Sequence, residues 1–374
     1  MSLEVIGNLS ALRRLAPEWE RLPLPSPMQS PAWLVSWWEA YGEADGGCEL
    51  ASLAVRDAED RLIGFAPLYL KSHPLAGPSL RMLGDGRAST DHHTLLAASP
   101  EHEPEVVSAV AQWIAAEAGH AWRRVRFEAL DSDDRAMNHL ERLLSEQGLD
   151  TERIEDLGSF PAELIREDSP PDWEGFLSTL SKNRRKKLRR WDREWFESGR
   201  ASLRVAQNEQ DRAELWPELV RLHNERREGM GETGVFECER FDRFHRLASE
   251  QLLASGGLYF ALLSLDGQPA AVEYSLQDSR SVYAYQGGIS SAALDLDAGH
   301  LSIMGLTRHA LQTGRTRLDL LRGDEPYKLS WGATHRPAST LHARPDTWTG
   351  KLERLAGNAY RGLRDSRKKV AEAG

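Results

Sequence analysis

Twice along this chain the apolar residues run through the same succession of periods: two strand-like runs, a third, a helix and a fourth strand. In the first half, residues 48–71 hold two alternating runs joined by the polar tract 56–61, which predicts a β-hairpin with Pro67 at an edge or bulge. A strand at 94–97 follows, then a helix over 103–118 stopped by Gly119, and a strand around Val125 and Phe127. In the second half, residues 256–278 predict a hairpin turning at Asp266-Gly267, followed by a strand over 281–289, a helix ending at Gly314, and a strand over 315–323. Laid over one another, the halves bring Gly64 near Ala271, Gly119 near Gly314, and Val125 and Phe127 near Leu318 and Leu320. A hairpin, strand, helix and strand cannot form an all-helical or all-β domain. The expected fold class is α/β (α+β), with two tandem domains, each a mixed, mostly antiparallel sheet flanked by helices.

At 374 residues the chain exceeds a single compact core. The Pro170-Pro171 stretch suggests a division into residues 1–165 and 166–374, the second being the expected active domain. Trp33, Trp37 and Trp38, at helical spacing after Pro31, are expected as core residues. A net charge of −10 argues against nucleic-acid or anionic-lipid binding by the protein as a whole, so any basic site must be local. Cys48 and Cys238 lie far apart with no CxxC or Cys/His cluster, so neither a disulfide framework nor a zinc site is expected. His92-His93 has no third ligand at a useful spacing, so no metal is expected. Without a long apolar stretch the chain is expected to be cytoplasmic and to lack a membrane span.

The helix expected from about Leu296 to Ser302 onward should aim its free backbone N–H groups at the strand 283–288, forming an anion site. Residues 181–190 carry seven Lys or Arg and no acid. As a helix this segment is either a solvated face or an anion-binding surface for CoA phosphates, tRNA or a phosphorylated sugar carrier, with Arg184, Arg185 and Arg189 as contacts.

The segments SKNRRKKLRR, YAYQGGI and DAGHLSIMGL, and above all LDLLRGDEPYKLSWG, resemble the acetyltransferase family named after the cellulose-biosynthesis proteins CelD and BcsL, within the GNAT superfamily. PAWLVSWWEAYG and LIGFAPLYL extend that resemblance into the first half. It implies a tandem GNAT architecture similar to the Fem-type aminoacyltransferases, and acetyl-CoA or another acyl-CoA as donor. The superfamily's pyrophosphate loop has two glycines, whereas Asp297-Ala298-Gly299-His300-Leu301 has one, so aminoacyl-tRNA stays open as a donor.

Acyl transfer needs a polarised carbonyl, a base and an acid. The backbone around Gln286, Gly287 and Gly288 is the candidate for the first, because glycine permits close approach. Gly299, His300, Leu301 and Ser302 are candidates for donor phosphate, with Tyr285 and Arg322 as substrate contacts. Asp324 and Glu325, at a strand end, are candidate bases, and Tyr327 and Lys328 candidate acids, Tyr327 preferred. The acceptor is expected to be a small molecule or saccharide. Aminoacyl transfer from tRNA and a non-catalytic scaffold in polysaccharide assembly are the alternatives.

Overall fold

The structure is a computed structural model that describes residues 1–43 and 45–345. The chain opens with β1 (Ser2–Ile6), α1 (Leu9–Trp19) and α2 (Pro31–Trp37). Asn8 caps α1 by accepting from the Ala11 N–H, and Ser30 caps α2 ahead of Pro31 at its first turn. Next come β2 (Cys48–Leu50), β3 (Ser52–Arg56), β4 (Leu62–Ala66) and β5 (Leu68–Lys71). The hairpin expected here forms, but it is broken in the middle. β3 and β4 pair within one four-stranded sheet, while β2 and β5 pair within another. The cause is local: Pro67 has no N–H to offer a ladder. At the break the Ser52 hydroxyl accepts from Leu68 N (3.1 Å) and donates to Leu68 O (2.9 Å).

After β5 follow β6 (Ser79–Met82), β7 (Leu96–Ala97), α3 (Glu103–Ala116), β8 (Arg124–Asp131), α4 (Arg135–Glu146), β9 (Leu149–Ser159) and β10 (Pro161–Glu163). The parallel partner of β8 across the α3 crossover is β6. The strand expected at 94–97 pairs with β4 in the other sheet instead. In this half the third strand of the repeated unit is therefore β6, whose four residues show too little alternation to announce themselves.

The second half contains α5 (Trp173–Thr179), α6 (Lys182–Trp191), β11 (Ala201–Val205), α7 (Glu209–Glu228) and α8 (Glu239–Ala254). It continues through β12 (Leu258–Leu265), β13 (Gln268–Gln277), β14 (Ser281–Ile289), α9 (Ala298–Gln312), β15 (Arg317–Asp319) and β16 (Arg336–Pro345). Asp266 and Gly267 both have positive φ (48° and 78°), as the tight hairpin turn between β12 and β13 requires. The six strands here are ordered β10-β15-β14-β13-β12-β11, and β14 and β15 are parallel.

Sheet membership crosses residue 165 in both directions. β10 joins the second-half sheet beside β15, and β16 returns to lie between β8 and β9 in the first. A shared core also joins the halves, with Trp33, Trp37 and Phe65 in one apolar cluster with Trp216, Phe260 and Tyr274. Trp33 meets Phe244 of α8 edge-on at 4.8 Å. The tryptophans of α2 are core residues, as expected. No helix among the described residues is long and apolar enough to cross a membrane.

Candidate functional site

β14 is bonded to β13 along its length but to β15 only over Ser281–Tyr283. At Tyr285 it bulges, because Tyr274 pairs with Gln286 and Ser275 with Ala284, leaving Tyr285 unmatched. Beyond that point β14 and β15 part. The gap holds a cleft of about 600 Å³ between β14, the start of α9, the end of α7 and the turn at 325–327. Tyr285, Gln286, Gly287, Gly288, Gly299, His300, Ser302, Glu325 and Tyr327 all line it, so nine of the residues singled out in the sequence come together here.

Asp297 takes the left-handed conformation (φ 59°) and its side chain makes no capping bond to α9. Its carboxylate turns away, accepting from Trp191 Nε1 (3.0 Å) and lying 3.6 Å from Lys187 Nζ. The first turn of α9 is thus left without a side-chain cap, at a cleft wall where its N–H groups and dipole favour an anion. His300, in that turn, stacks on Trp191 at 5.2 Å, and its Nδ1 faces Arg184 Nη2 at 3.2 Å. Burial, and then the neighbouring guanidinium, push its pKa down to about 4, so it is neutral at physiological pH.

Sequence reasoning missed the group with the most distinctive chemistry. Glu273 of β13 pairs with Gly287 across the ladder, is almost fully buried, and lines the cleft. Its two oxygens accept from Ser275 Oγ (2.5 Å) and Ser302 Oγ (3.2 Å). Burial raises its pKa to about 7 against the stabilising pull of the two hydroxyls. A carboxyl poised near neutrality can take a proton from an acceptor and give it up again. The signal was a lone carboxylate inside the apolar run PAAVEYSL, where a strand this apolar must bury it. Tyr327 also lines the cleft, with part of its side chain exposed at the rim (38%) and the rest desolvated. Burial, with the charges of Glu273 and Glu325, pushes its phenol well above the ordinary value, so it keeps its proton.

The remaining expected site residues have other work. Leu301 is fully buried in the second-half core and reaches no ligand. Lys328 is buried and donates to three backbone carbonyls, Leu321 O (3.2 Å), Arg322 O (2.6 Å) and Gly323 O (3.0 Å). Its ion pair with Glu325 (2.9 Å) completes a clasp on the loop after β15, away from the acid role expected of it. Arg322 is bound to Asp91 (2.6 Å) and Thr90 O of the first half, and the Tyr285 hydroxyl donates to Ala88 O (2.6 Å). Both tie the halves together; Arg322 lies outside the cleft lining, whereas Tyr285 lines the cleft as well. Asp324 is exposed and lies outside the cleft lining. Arg189 pairs with Glu174 (2.5 Å), whereas Arg184 lies over the rings of Trp331 (4.7 Å) and Trp191 (5.4 Å). Arg185, half-buried, forms no ion pair among the described residues. Cleft residues not anticipated from sequence are His223, whose Nδ1–H donates to Gly287 O (3.1 Å), and Arg226. Among the described residues no three His, Cys, Asp or Glu side chains are grouped to hold a metal ion.

Gly288 has a packing reason that the sequence did not show. A Cβ there would stand 2.4 Å from both His223 N and Leu222 C, backbone atoms of α7. Gly288→Ala is therefore expected to push α7 off β14 and lower stability by about 1–3 kcal/mol, measured by chemical denaturation.

Residues 182–329 match the family model described as the acetyltransferase (GNAT) domain. No curated protein matches the sequence. The fold is similar to the crystal structure of FemX, with a TM-score of 0.61 at 12% identity over 91% of this chain and 97% of that one. It is also similar to a conserved protein of unknown function from Bacteroides thetaiotaomicron VPI-5482 (TM-score 0.56, 11% identity, 92% and 99% covered). A third likeness is to the C-terminal domain of a putative lysylphosphatidylglycerol synthetase from Agrobacterium fabrum (TM-score 0.52, 13% identity, 94% and 97% covered). The chain thus has a mixed α/β fold of GNAT-like sheets flanked by helices, and the match to the acetyltransferase (GNAT) domain model falls within its second half.

Proposed function

We propose that this chain is an acyltransferase that moves an acyl group from an acyl-CoA, acetyl-CoA being the simplest, to an amine or hydroxyl of a small-molecule or saccharide acceptor such as a cell-envelope precursor. The observation that carries the reading is Glu273: a buried carboxyl with a pKa near 7, inside the cleft where β14 leaves β15 and facing an uncapped helix start. A CoA ester fits the residues present, because the first turn of α9, Arg184 and Lys187 offer a cradle for phosphate. Bound there, it supplies an activated thioester carbonyl. Glu273 takes the proton from the acceptor as it attacks, and the β14 backbone at Gln286 to Gly288 holds the developing negative charge. Tyr327, kept protonated, delivers a proton to the departing thiolate. Neither cysteine lines the cleft, and burial raises the Cys48 thiol to about 11, so direct attack without a covalent enzyme intermediate is the simplest course. Placement with the CelD/BcsL-like acetyltransferases is part of this proposal and rests on residues 319–331.

The test is thermal denaturation with and without acetyl-CoA. Free ligand at a hundred times its Kd should add about 2.7 kcal/mol of stability. No shift with any of a panel of acyl-CoAs would remove the CoA-dependent reading. A second reading, aminoacyl transfer from charged tRNA, draws support from the unneutralised cations of α6 and from the shared fold with FemX. RNA carried through purification, together with silence toward acyl-CoA, would favour it. If neither donor has an effect, a non-catalytic role in polysaccharide assembly remains.

A further inference from the structure

Eight large apolar side chains are exposed among the described residues: Met1, Val5, Leu75, Met230, Leu294, Leu296, Tyr327 and Leu329. Five of them, from Met230 onward in that series, gather at one place. Met230, Leu294 and Tyr327 line the cleft. Leu296 immediately precedes the cleft residue Asp297, and Leu329 lies in the short turn Lys328–Trp331 that follows Tyr327. Leu329 is 60% exposed. A scatter of single apolar side chains needs no explanation, but five of them in or next to the lining of one opening do.

The same rim carries the basic helix. α6 is anchored to the start of α9 through Lys187 and Trp191, and to the turn holding Leu329 through Arg184 over Trp331. Lys182, Arg185, Lys186 and Arg190 of α6 have no carboxylate partner among the described residues, and neither does Arg226 at the end of α7. Several nearby acids are engaged: Glu325 with Lys328 (2.9 Å), Glu232 with Arg227 (2.5 Å) and Asp297 with Lys187. With Arg193 and Glu194 just beyond α6 included, that leaves Asp295, Asp324, Glu228 and Glu194 against six cations without an ion pair among the described residues, so the rim is locally positive in a chain whose net charge is −10.

We propose that this rim docks on an anionic membrane surface, so that the cleft opens toward the headgroup layer. Both halves of the observation are needed. Unpaired cations alone would suit any polyanion, including RNA. Exposed aliphatic side chains beside them gain nothing from a phosphate backbone, and nucleic-acid sites stack bases on aromatic rings instead. At a lipid interface each finds its partner: the leucines and Met230 enter the boundary between headgroups and acyl chains while Lys and Arg pair with lipid phosphate. The proposal is independent of the transfer chemistry, since docking can be measured without turnover.

The experiment is co-flotation of the full chain with vesicles of phosphatidylcholine alone or mixed equally with phosphatidylglycerol. Binding is expected to the mixed vesicles and to weaken as salt is raised. Lys186→Ala with Arg190→Ala should lower the partition coefficient about twenty-five-fold, at about fivefold per cation. Leu296→Ser with Leu329→Ser should lower it as well, and neither pair should alter the melting temperature or acyl-CoA binding, because none of the four lines the cleft. Failure to bind anionic vesicles overturns the proposal, as does binding indifferent to both double variants. Preference for a bulk tRNA probe over vesicles, lost in the α6 variant and kept in the leucine variant, overturns it in favour of a nucleic-acid surface.

Discussion

Replacing Glu273 by Gln is expected to lower the turnover of acyl transfer by about 10²–10⁴-fold, the usual worth of a positioned general base, while leaving the fold in place. Gln keeps the shape of the side chain; its carbonyl oxygen can accept from one of the two serine hydroxyls while its NH2 donates to the other, which only has to rotate, so the loss should fall on proton transfer and not on architecture. The pH profile carries the sharper signature. With a pKa pushed up to about 7, the wild-type rate should climb as Glu273 loses its proton, and that limb should vanish in the variant. Stability supplies a check that needs no substrate. The folded pKa lies above the unfolded value near 4.5, so the group's contribution is fully present below 4.5 and is lost as pH rises through about 7. Above that range the buried carboxylate costs up to about 3 kcal/mol, at about 1.4 kcal/mol per pKa unit. Glu273→Gln should therefore gain stability relative to wild type at pH 8 and not at pH 4.5. Wild-type turnover with an unchanged pH profile would assign the proton to another group.

The parts of this molecule that local chemistry dictates were legible in the sequence. Asp266-Gly267 names its own turn, and Gly119 and Gly314, both with positive φ, close the helices that precede them. The cleft itself followed from one inference, that a crossover helix starts beside the strand at 283–288. What stayed hidden depends on partners remote in sequence. β6 has four residues and is defined by β5 and β8, and β16 reads as an unremarkable polar stretch until it inserts between β8 and β9. Glu273 looked like an intrusion in a core strand, because the hydroxyl of Ser302 that holds it comes from another element. Conversely Arg322 and Lys328 stand in the most distinctive motif and carry the polar chemistry of a site, yet their donors are spent on Asp91, Thr90 and the carbonyls of Leu321 to Gly323. The motif holds the loop after β15 in shape, and a linear reading cannot separate the residues that build a cleft from those that act in it.

That loop is also governed from the first half of the chain, where His92→Asn is expected to cost about 3–5 kcal/mol of stability. His92 is buried, with Nδ1 at 2.9 Å from Asp131 at the end of β8 and Nε2 at 3.4 Å from Asp319 at the end of β15. Asp319 is 1% exposed and also accepts from Leu321 N (2.8 Å), while Asp131 is shared with Arg336 at the start of β16 (2.9 Å). Burial alone would strip the proton from His92, but the two carboxylates outweigh it and raise its pKa, so it stands as a cation between two anions. The same imidazolium, against the opposing effect of burial, holds Asp319 below the usual carboxylate range. Asn suits the test because His92 has φ 58°, a left-handed conformation that Asn tolerates, so the variant removes the charge without adding backbone strain. The signs give a window. The histidine's contribution is complete below its unfolded value of about 6.5 and is lost as pH rises through the higher folded value. The aspartate's is complete above about 3.9 and is lost as pH falls through the lower folded one. Wild type should hold a stability plateau between those limits, and His92→Asn should lower it most there, read from denaturant midpoints across pH. Because β14 and β15 are bonded only at Ser281–Tyr283, next to Asp319, loosening this clasp should also widen the strand gap and weaken acyl-CoA binding in molecules that remain folded. A midpoint within about 0.5 kcal/mol of wild type across that range would show that the two carboxylates do not depend on His92.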